Sequence, residues 1–141
     1  MDRTAESRVV VGVDGSAASL AALRRAAVEA AARGAVLVPL FAGRTPDRTA
    51  RRLLDGALRS AFGGWPGGLV VRPTVAAGPP GPALVAAVAG PGDLLVLGAA
   101  ARRHWHPHGD RAVRHCRGHC PCPVLTVTGR AGTPNRQLAN D

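Results

Sequence analysis

Short runs of branched aliphatic residues recur along the chain, each followed by a stretch with helical spacing, and that alternation leaves few folds open. Val9-Val10-Val11-Gly12-Val13 reads as a buried strand. Ala17 to Arg33 reads as a helix with Leu20, Leu23, Ala27 and Ala31 on one face; Arg25, Glu29 and Arg33 share another at four-residue spacing, and Gly34 supplies the stop. Val36 to Phe41 is a second strand. Arg48 to Phe62 is a second helix, Leu54, Leu58 and Ala61 inward and Arg51, Asp55 and Arg59 outward, broken by the Gly63-Gly64-Trp65-Pro66-Gly67-Gly68 cluster. Leu69 to Val75 is a third strand, for which Pro73 implies an edge position or an early end. A short helix from Pro82 to Ala89 is entered through the Gly78-Pro79-Pro80-Gly81 turn, and Leu94 to Leu97 is the clearest buried strand. A last helix spans about Arg111 to Arg117, with Asp110 as N-cap and Gly118 at the stop, before a fifth strand from Val124 to Thr128.

Five strands with four intervening helices and no repeat predict an α/β fold: one open parallel sheet with right-handed crossovers that place helices on both faces. With 141 residues, 46% of them apolar and 19% charged, the chain has the size and composition of one globular domain, expected over residues 8–128. Residues 1–7 and 129–141 lack periodicity and read as flexible termini. No stretch approaches the roughly 18 consecutive apolar residues of a membrane span, and Val9 to Val13 is too short for a signal-peptide core. Three cysteines crowded between Cys116 and Cys122 argue against a disulfide framework and fit a reducing compartment, so a cytoplasmic location is expected.

The formal charge is +9, and all 18 basic residues are arginine, which excludes Schiff-base lysines, a lysine general base and a Walker-type phosphate lysine. An anionic partner and a compositional bias toward alanine, glycine, arginine and proline account equally for the excess. Nucleic acid is a poor match despite a pI near 11.6: no binding motif is present, two Phe and two Trp make no stacking set, and arginine falls on every helix face. No nucleophile, base and orienting group cluster in sequence, so no dedicated enzyme is expected, at most slow ATP hydrolysis.

Ligands of open parallel sheets bind beyond the carboxyl ends of the strands, where strand order reverses. Two strand-to-helix loops carry unusual residues. After the first strand, Asp14 offers an acceptor-only carboxylate, Gly15 permits a tight turn and Ser16 or Ser19 can cap the helix; a plain cap and turn is the alternative reading. After the fourth, residues 98–111 lead into a helix N-terminus that favours anions, with Arg102, Arg103 and Arg111 as phosphate-compatible groups. Should these two strands be neighbours, both loops face one cleft.

The residues so described resemble a single-domain universal stress protein, a family with an adenine-nucleotide-binding α/β fold. The resemblance covers about residues 8–128. It rests on Val10-Val11-Gly12-Val13-Asp14-Gly15-Ser16, on Gly78-Pro79-Pro80-Gly81-Pro82-Ala83-Leu84, on Gly92-Asp93-Leu94-Leu95-Val96-Leu97-Gly98 and on Cys120-Pro121-Cys122-Pro123-Val124-Leu125-Thr126-Val127, in that order. It implies a Rossmann-like sheet of the adenine nucleotide alpha hydrolase type, strand order 3-2-1-4-5, and a regulatory or stress-response role. It also implies ATP, with magnesium, as cofactor: Asp14 against the nucleotide, backbone near Leu40 and Phe41 reading the adenine, and phosphates in a loop of the form G-x-x-G, nine residues, then G-[ST]. Gly98 matches the first glycine of that loop. The second falls on Ala101 and the third on Arg111, followed by Ala112; Gly109 is the nearest glycine, two positions early, and Asp110 then stands where the hydroxyl would belong. An altered phosphate grip is therefore expected, with Arg102, Arg103 and Arg111 in place of backbone. Family members commonly pair through the last strand, which implies a homodimer through Val124 to Thr128 and transmission to an unidentified protein partner. A member that binds no nucleotide and acts through protein contacts is the alternative.

All five histidines and all three cysteines lie within residues 104–122. His104, His106 and His108 alternate, and His115 and His119 share a helix face. Together with Cys120 they are candidate ligands for zinc or copper, although the spacing matches no standard zinc motif. The competing reading makes Cys116 and Cys122 small buried hydrophobes and the histidines surface groups.

Overall fold

A computed structural model describes residues 6–64, 66–99 and 107–129. Its strands are β1 (Arg8–Gly12), β2 (Val36–Ala42), β3 (Thr74–Ala76), β4 (Leu94–Ala99) and β5 (Val124–Thr128). The helices are α1 (Ala17–Arg33), α2 (Asp47–Phe62), α3 (Pro80–Ala87) and α4 (Pro107–His119). All pairings are parallel and the order is β3-β2-β1-β4-β5, as expected. The order reverses between β1 and β4, so their carboxyl ends form the switch point.

Alternation along the strands sorts the core into two layers. Val9, Val11, Leu37, Leu94 and Val96 pack under α1 and α2, whereas Val10, Val36, Val38, Leu40, Leu95 and Leu97 meet Leu84, Val88 and Cys116 from the α3 and α4 side. Both faces are covered, which is why the strands read as continuous apolar runs. Cys116 is fully buried and Cys122 nearly so, in line with their reading as small core hydrophobes.

Several boundaries differ from the sequence expectation. The face of α1 is rotated toward Ser19, Ala22, Ala26 and Ala30, with Leu23 kept and Ala31 exposed. The expectation was drawn toward Leu20, which is only half-buried. The small residues win because β4 runs so close beneath this helix that a Cβ on Gly98 would stand 2.5 Å from the Ala18 carbonyl. Strand β3 is shorter than expected: Val71 makes one bridge to Leu37, Pro73 interrupts, and regular pairing resumes only at Thr74. Helix α3 starts at Pro80 and α4 at Pro107, because a proline needs no N–H partner in a first turn. Asp110 is thus inside α4, not its N-cap, and the helix runs through Gly118 to His119.

Candidate functional site

The backbone leaves β1 through an Asx turn and a cap. Asp14 Oδ1 accepts from the Ser16 N–H at 2.9 Å, and Gly15 between them takes φ +87°, a left-handed conformation that glycine reaches without strain. Ser16 is the N-cap of α1, its Oγ accepting from the Ser19 N–H at 3.1 Å. Ser19, 4% exposed, accepts from the Asp14 N–H at 3.2 Å and donates to the Ser16 carbonyl at 3.2 Å. The cap-and-turn reading is therefore realised in full. It leaves Asp14 exposed, and among the described residues its Oδ2 has no hydrogen-bond partner.

An open cleft lies at the switch point, on the α3 and α4 side of the sheet, with about 610 Å³ of space including its mouth. Gly12, Val13, Asp14, Ser16 and Ser19 line it from β1 and the start of α1, Leu40 and Ala42 from β2, and Leu97 and Gly98 from β4. Pro80 and Leu84 of α3 and Ala112 and Val113 of α4 close the far side. Most of the wall is apolar; the polar groups gather at the α1 corner. This is the combination expected of a small-ligand site, an apolar bed with a few placed polar groups.

The structure thus brings Asp14, Ser16, Leu40 and Gly98 to one cleft, with Gly15 in the turn beside them. Phe41 points the other way, its ring packing with the α1 and α2 core, while its backbone pairs with Val75. The Leu40 carbonyl accepts from the Val13 N–H at 2.9 Å. Gly98 is required by packing: beyond the Ala18 contact, its Cβ would lie 2.8 Å from the Ser19 nitrogen. Arg111 is exposed on α4 and does not line the cleft, and Gly109 lies in the first turn of α4. Arg102, Arg103, His104 and His106 lie outside the described residues. Sequence reasoning missed Gly12, Ala42, Leu84, Leu97, Ala112 and Val113. The two-residue period of the strands contained part of that signal, since Ala42 follows Leu40 on its face and Leu97 shares a face with Leu95.

Of the candidate metal ligands, His115 and His119 do share a face, rings stacked 4.2 Å apart, and the His119 Nδ1 lies 2.9 Å from the His115 carbonyl. His108 is in the first turn of α4. The Cys120 sulfur lies 3.5 Å from that of Cys122. Among the described residues no group of three His, Cys, Asp or Glu side chains is placed to hold a metal ion. No described helix is long and apolar enough to cross a membrane.

Comparison with known proteins follows the same lines. The model of the universal stress protein family matches residues 6–128. Among solved structures, a universal stress protein in complex with cAMP is 27% identical, with a TM-score of 0.66 over 90% of this chain and 100% of its own. A protein of the universal stress protein family from Burkholderia pseudomallei is 25% identical, with a TM-score of 0.55 over 86% of this chain and 95% of its own. The universal stress protein UspA from Lactobacillus plantarum, 18% identical, has the same fold, with a TM-score of 0.65 over 88% and 99%. No curated protein matches the sequence significantly.

Proposed function

The chain belongs to the universal stress protein family, and from that premise we propose that its cleft binds an adenine nucleotide and signals occupancy to a partner protein. One observation carries this reading: Asp14, Ser16 and Gly98 converge on a single apolar cleft at the switch point. The structural relative in complex with cAMP supports it. In this reading the purine lies against Leu40, Ala42, Leu84 and Leu97, where its faces leave water. The Asp14 carboxylate, with one oxygen committed to the turn, accepts from ribose hydroxyls with the other. It would repel a phosphate, so the phosphates extend away from it toward the start of α4.

The fit is good for the nucleoside and altered for polyphosphate. No glycine stands in the sequence between β4 and α4, from Ala100 to His106. Charge neutralisation would come from Arg111 and the neighbouring arginines of sequence 102–103, with magnesium accompanying ATP. We read the protein as a cytoplasmic binder and not as an enzyme; among the described residues that line the cleft, no nucleophile is paired with a base. Strand β5 is an edge, and a homodimer paired through Val124–Thr128 would remove it from solvent. Since Val127 also packs against the α1 core, a charge there should split the dimer at a cost in stability, to be followed by sedimentation together with thermal melting.

The test is calorimetric titration of ATP with magnesium, and separately of cAMP, into the native chain and into Asp14→Ala. Micromolar binding of one ligand, weakened at least tenfold in the variant, is the expected result. Silence from both ligands would favour a second reading, which the local turn and cap made by Asp14, Ser16 and Ser19 supports: a family member working through protein contacts alone.

A further inference from the structure

We propose that Cys120 and Cys122 form a redox-active dithiol that closes to a disulfide across Pro121 on reaction with a low-molecular-weight disulfide such as oxidised glutathione. The inference is independent of nucleotide binding. It begins with the joint between α4 and β5, where the chain bends at Pro121 and Cys122. The bend brings the two sulfurs to 3.5 Å. A disulfide bond is about 2.05 Å long, so closure asks for roughly 1.5 Å of approach, the scale of a side-chain rotation. Pro121 and Pro123 fix φ on either side of Cys122 and limit the conformations available to the open form.

The two thiols are not equivalent. Cys120 is half-buried and within reach of solvent, whereas Cys122 is 7% exposed and belongs to the core layer with Val10, Leu95 and Cys116. Burial pushes the Cys122 thiol up to about 12, and the neighbouring Cys120 sulfur adds to this through its hydrogen bond and its charge. Burial likewise pushes Cys116 up to about 11, and its Sγ is directed at the Gly81 carbonyl at 3.8 Å. Cys120 is therefore the sulfur that meets the oxidant.

The exchange balances in two steps. The Cys120 thiolate attacks one sulfur of the oxidant, forming a mixed disulfide and releasing one thiolate, which takes up a proton. Capping Cys120 removes the neighbouring charge that, second to burial, helps hold the proton on Cys122. Cys122 then gives that proton to solvent, and its thiolate attacks the Cys120 sulfur, breaking the mixed bond and releasing the second thiol. The chain loses two electrons and two protons, and one small disulfide becomes two thiols. Closure also removes the Cys122 S–H, which lies 3.4 Å from the Pro123 carbonyl, the group that accepts from the Leu95 N–H where β5 joins β4. Oxidation would thus be felt at the start of the edge strand.

Trypsin separates the relevant cysteines: Cys116 lies on His115–Arg117, Cys120 and Cys122 together on Gly118–Arg130. The full-length chain would be equilibrated in glutathione buffers of increasing oxidation, quenched in acid, alkylated under denaturing conditions and mapped by mass. The 118–130 peptide should lose both alkylation sites and two hydrogens, with Cys116 fully alkylated. Cys122→Ser should stop at one glutathione on Cys120, and Cys120→Ser should leave Cys122 unmodified. A doubly alkylated 118–130 peptide at every ratio would overturn the proposal. So would a bond joining the two peptides through Cys116, or closure no more favourable in the folded chain than in urea.

Discussion

Two aspartates stand at opposite ends of the same pair of strands and show what position does to one chemical group. Asp93, just before β4, is 4% exposed. Its Oδ1 accepts from the Arg8 N–H at 2.9 Å, and its Oδ2 from the Ala89 and Gly90 N–H groups at 2.7 and 3.3 Å. Arg8 closes the arrangement by donating to the Ala87 carbonyl at 2.9 Å. Asp14, just after β1, is exposed and spends one oxygen on a local turn. The amino end of the sheet is sewn shut by a carboxylate whose capacity is consumed by backbone; the carboxyl end keeps one in reserve. A buried carboxylate satisfied by three N–H groups serves stability, whereas one with an idle oxygen beside a cleft keeps acceptor capacity for a ligand.

The contrast can be broken most directly at Asp93. Asp93→Ala strands three backbone donors in the interior and should lower unfolding stability by about 2–4 kcal/mol in urea titration. Asp14→Ala should cost less than about 1 kcal/mol while weakening nucleotide binding at least tenfold; equal losses of stability from the two substitutions would dissolve the distinction. Next in size is Gly98→Ala, whose methyl meets α1 backbone at 2.5 Å and should cost about 1–3 kcal/mol with no ligand present. A neutral result there would return Gly98 to a purely ligand-related role. Ser16→Ala removes the α1 cap and should cost about 1 kcal/mol by the same titration.

The smallest effect is expected on the outer face of α1, where Glu29 lies between Arg25 at 3.0 Å and Arg33 at 3.4 Å. The Arg25 hydrogen bond, aided by Arg33, outweighs partial burial and holds the Glu29 carboxyl below its ordinary value of 4.5. A depressed folded-state value means the contribution is complete above the unfolded value and fades as pH falls through the folded one. Glu29→Gln should therefore cost only about 0.3–0.5 kcal/mol near neutrality, and nothing once the pH is well below 4. A difference that grew on acidification would contradict the assignment.

The α/β architecture was legible because both sheet faces are covered, which turns β1, β2 and β4 into unbroken aliphatic runs. The limits of α1 and β5 were legible too, one from its Gly34 stop, the other from its own aliphatic run. Helix starts at Pro80 and Pro107 were not, since Pro80 was read as a turn residue and the start of the last helix was placed by Asp110 as a cap. In α1 the inward face is mostly alanine, which leaves little contrast for periodicity to register. At the site, Asp14, Ser16 and Gly98 could be picked out as residues at strand ends. The apolar walls from α3 and α4 could not, because which side of Leu84 or Val113 meets the sheet depends on how those helices dock. Asp93 drew attention only as part of a motif; its role emerges from a fold that brings residues 8, 89 and 90 around it.

The first turn of α1 rests on two glycines, one in β4 and one just past β5. A Cβ on Gly98 would lie 2.5 Å from Ala18, and one on Gly129, just past β5, would lie 2.7 Å from the same residue. With no side chain between, that turn behaves as a wedge driven against the ends of β4 and β5 at once. Ser16 caps the wedge and borders the cleft. The corner of the cleft and the margin of the sheet are thus joined by backbone contact, with no side chain between them at Gly98 or Gly129.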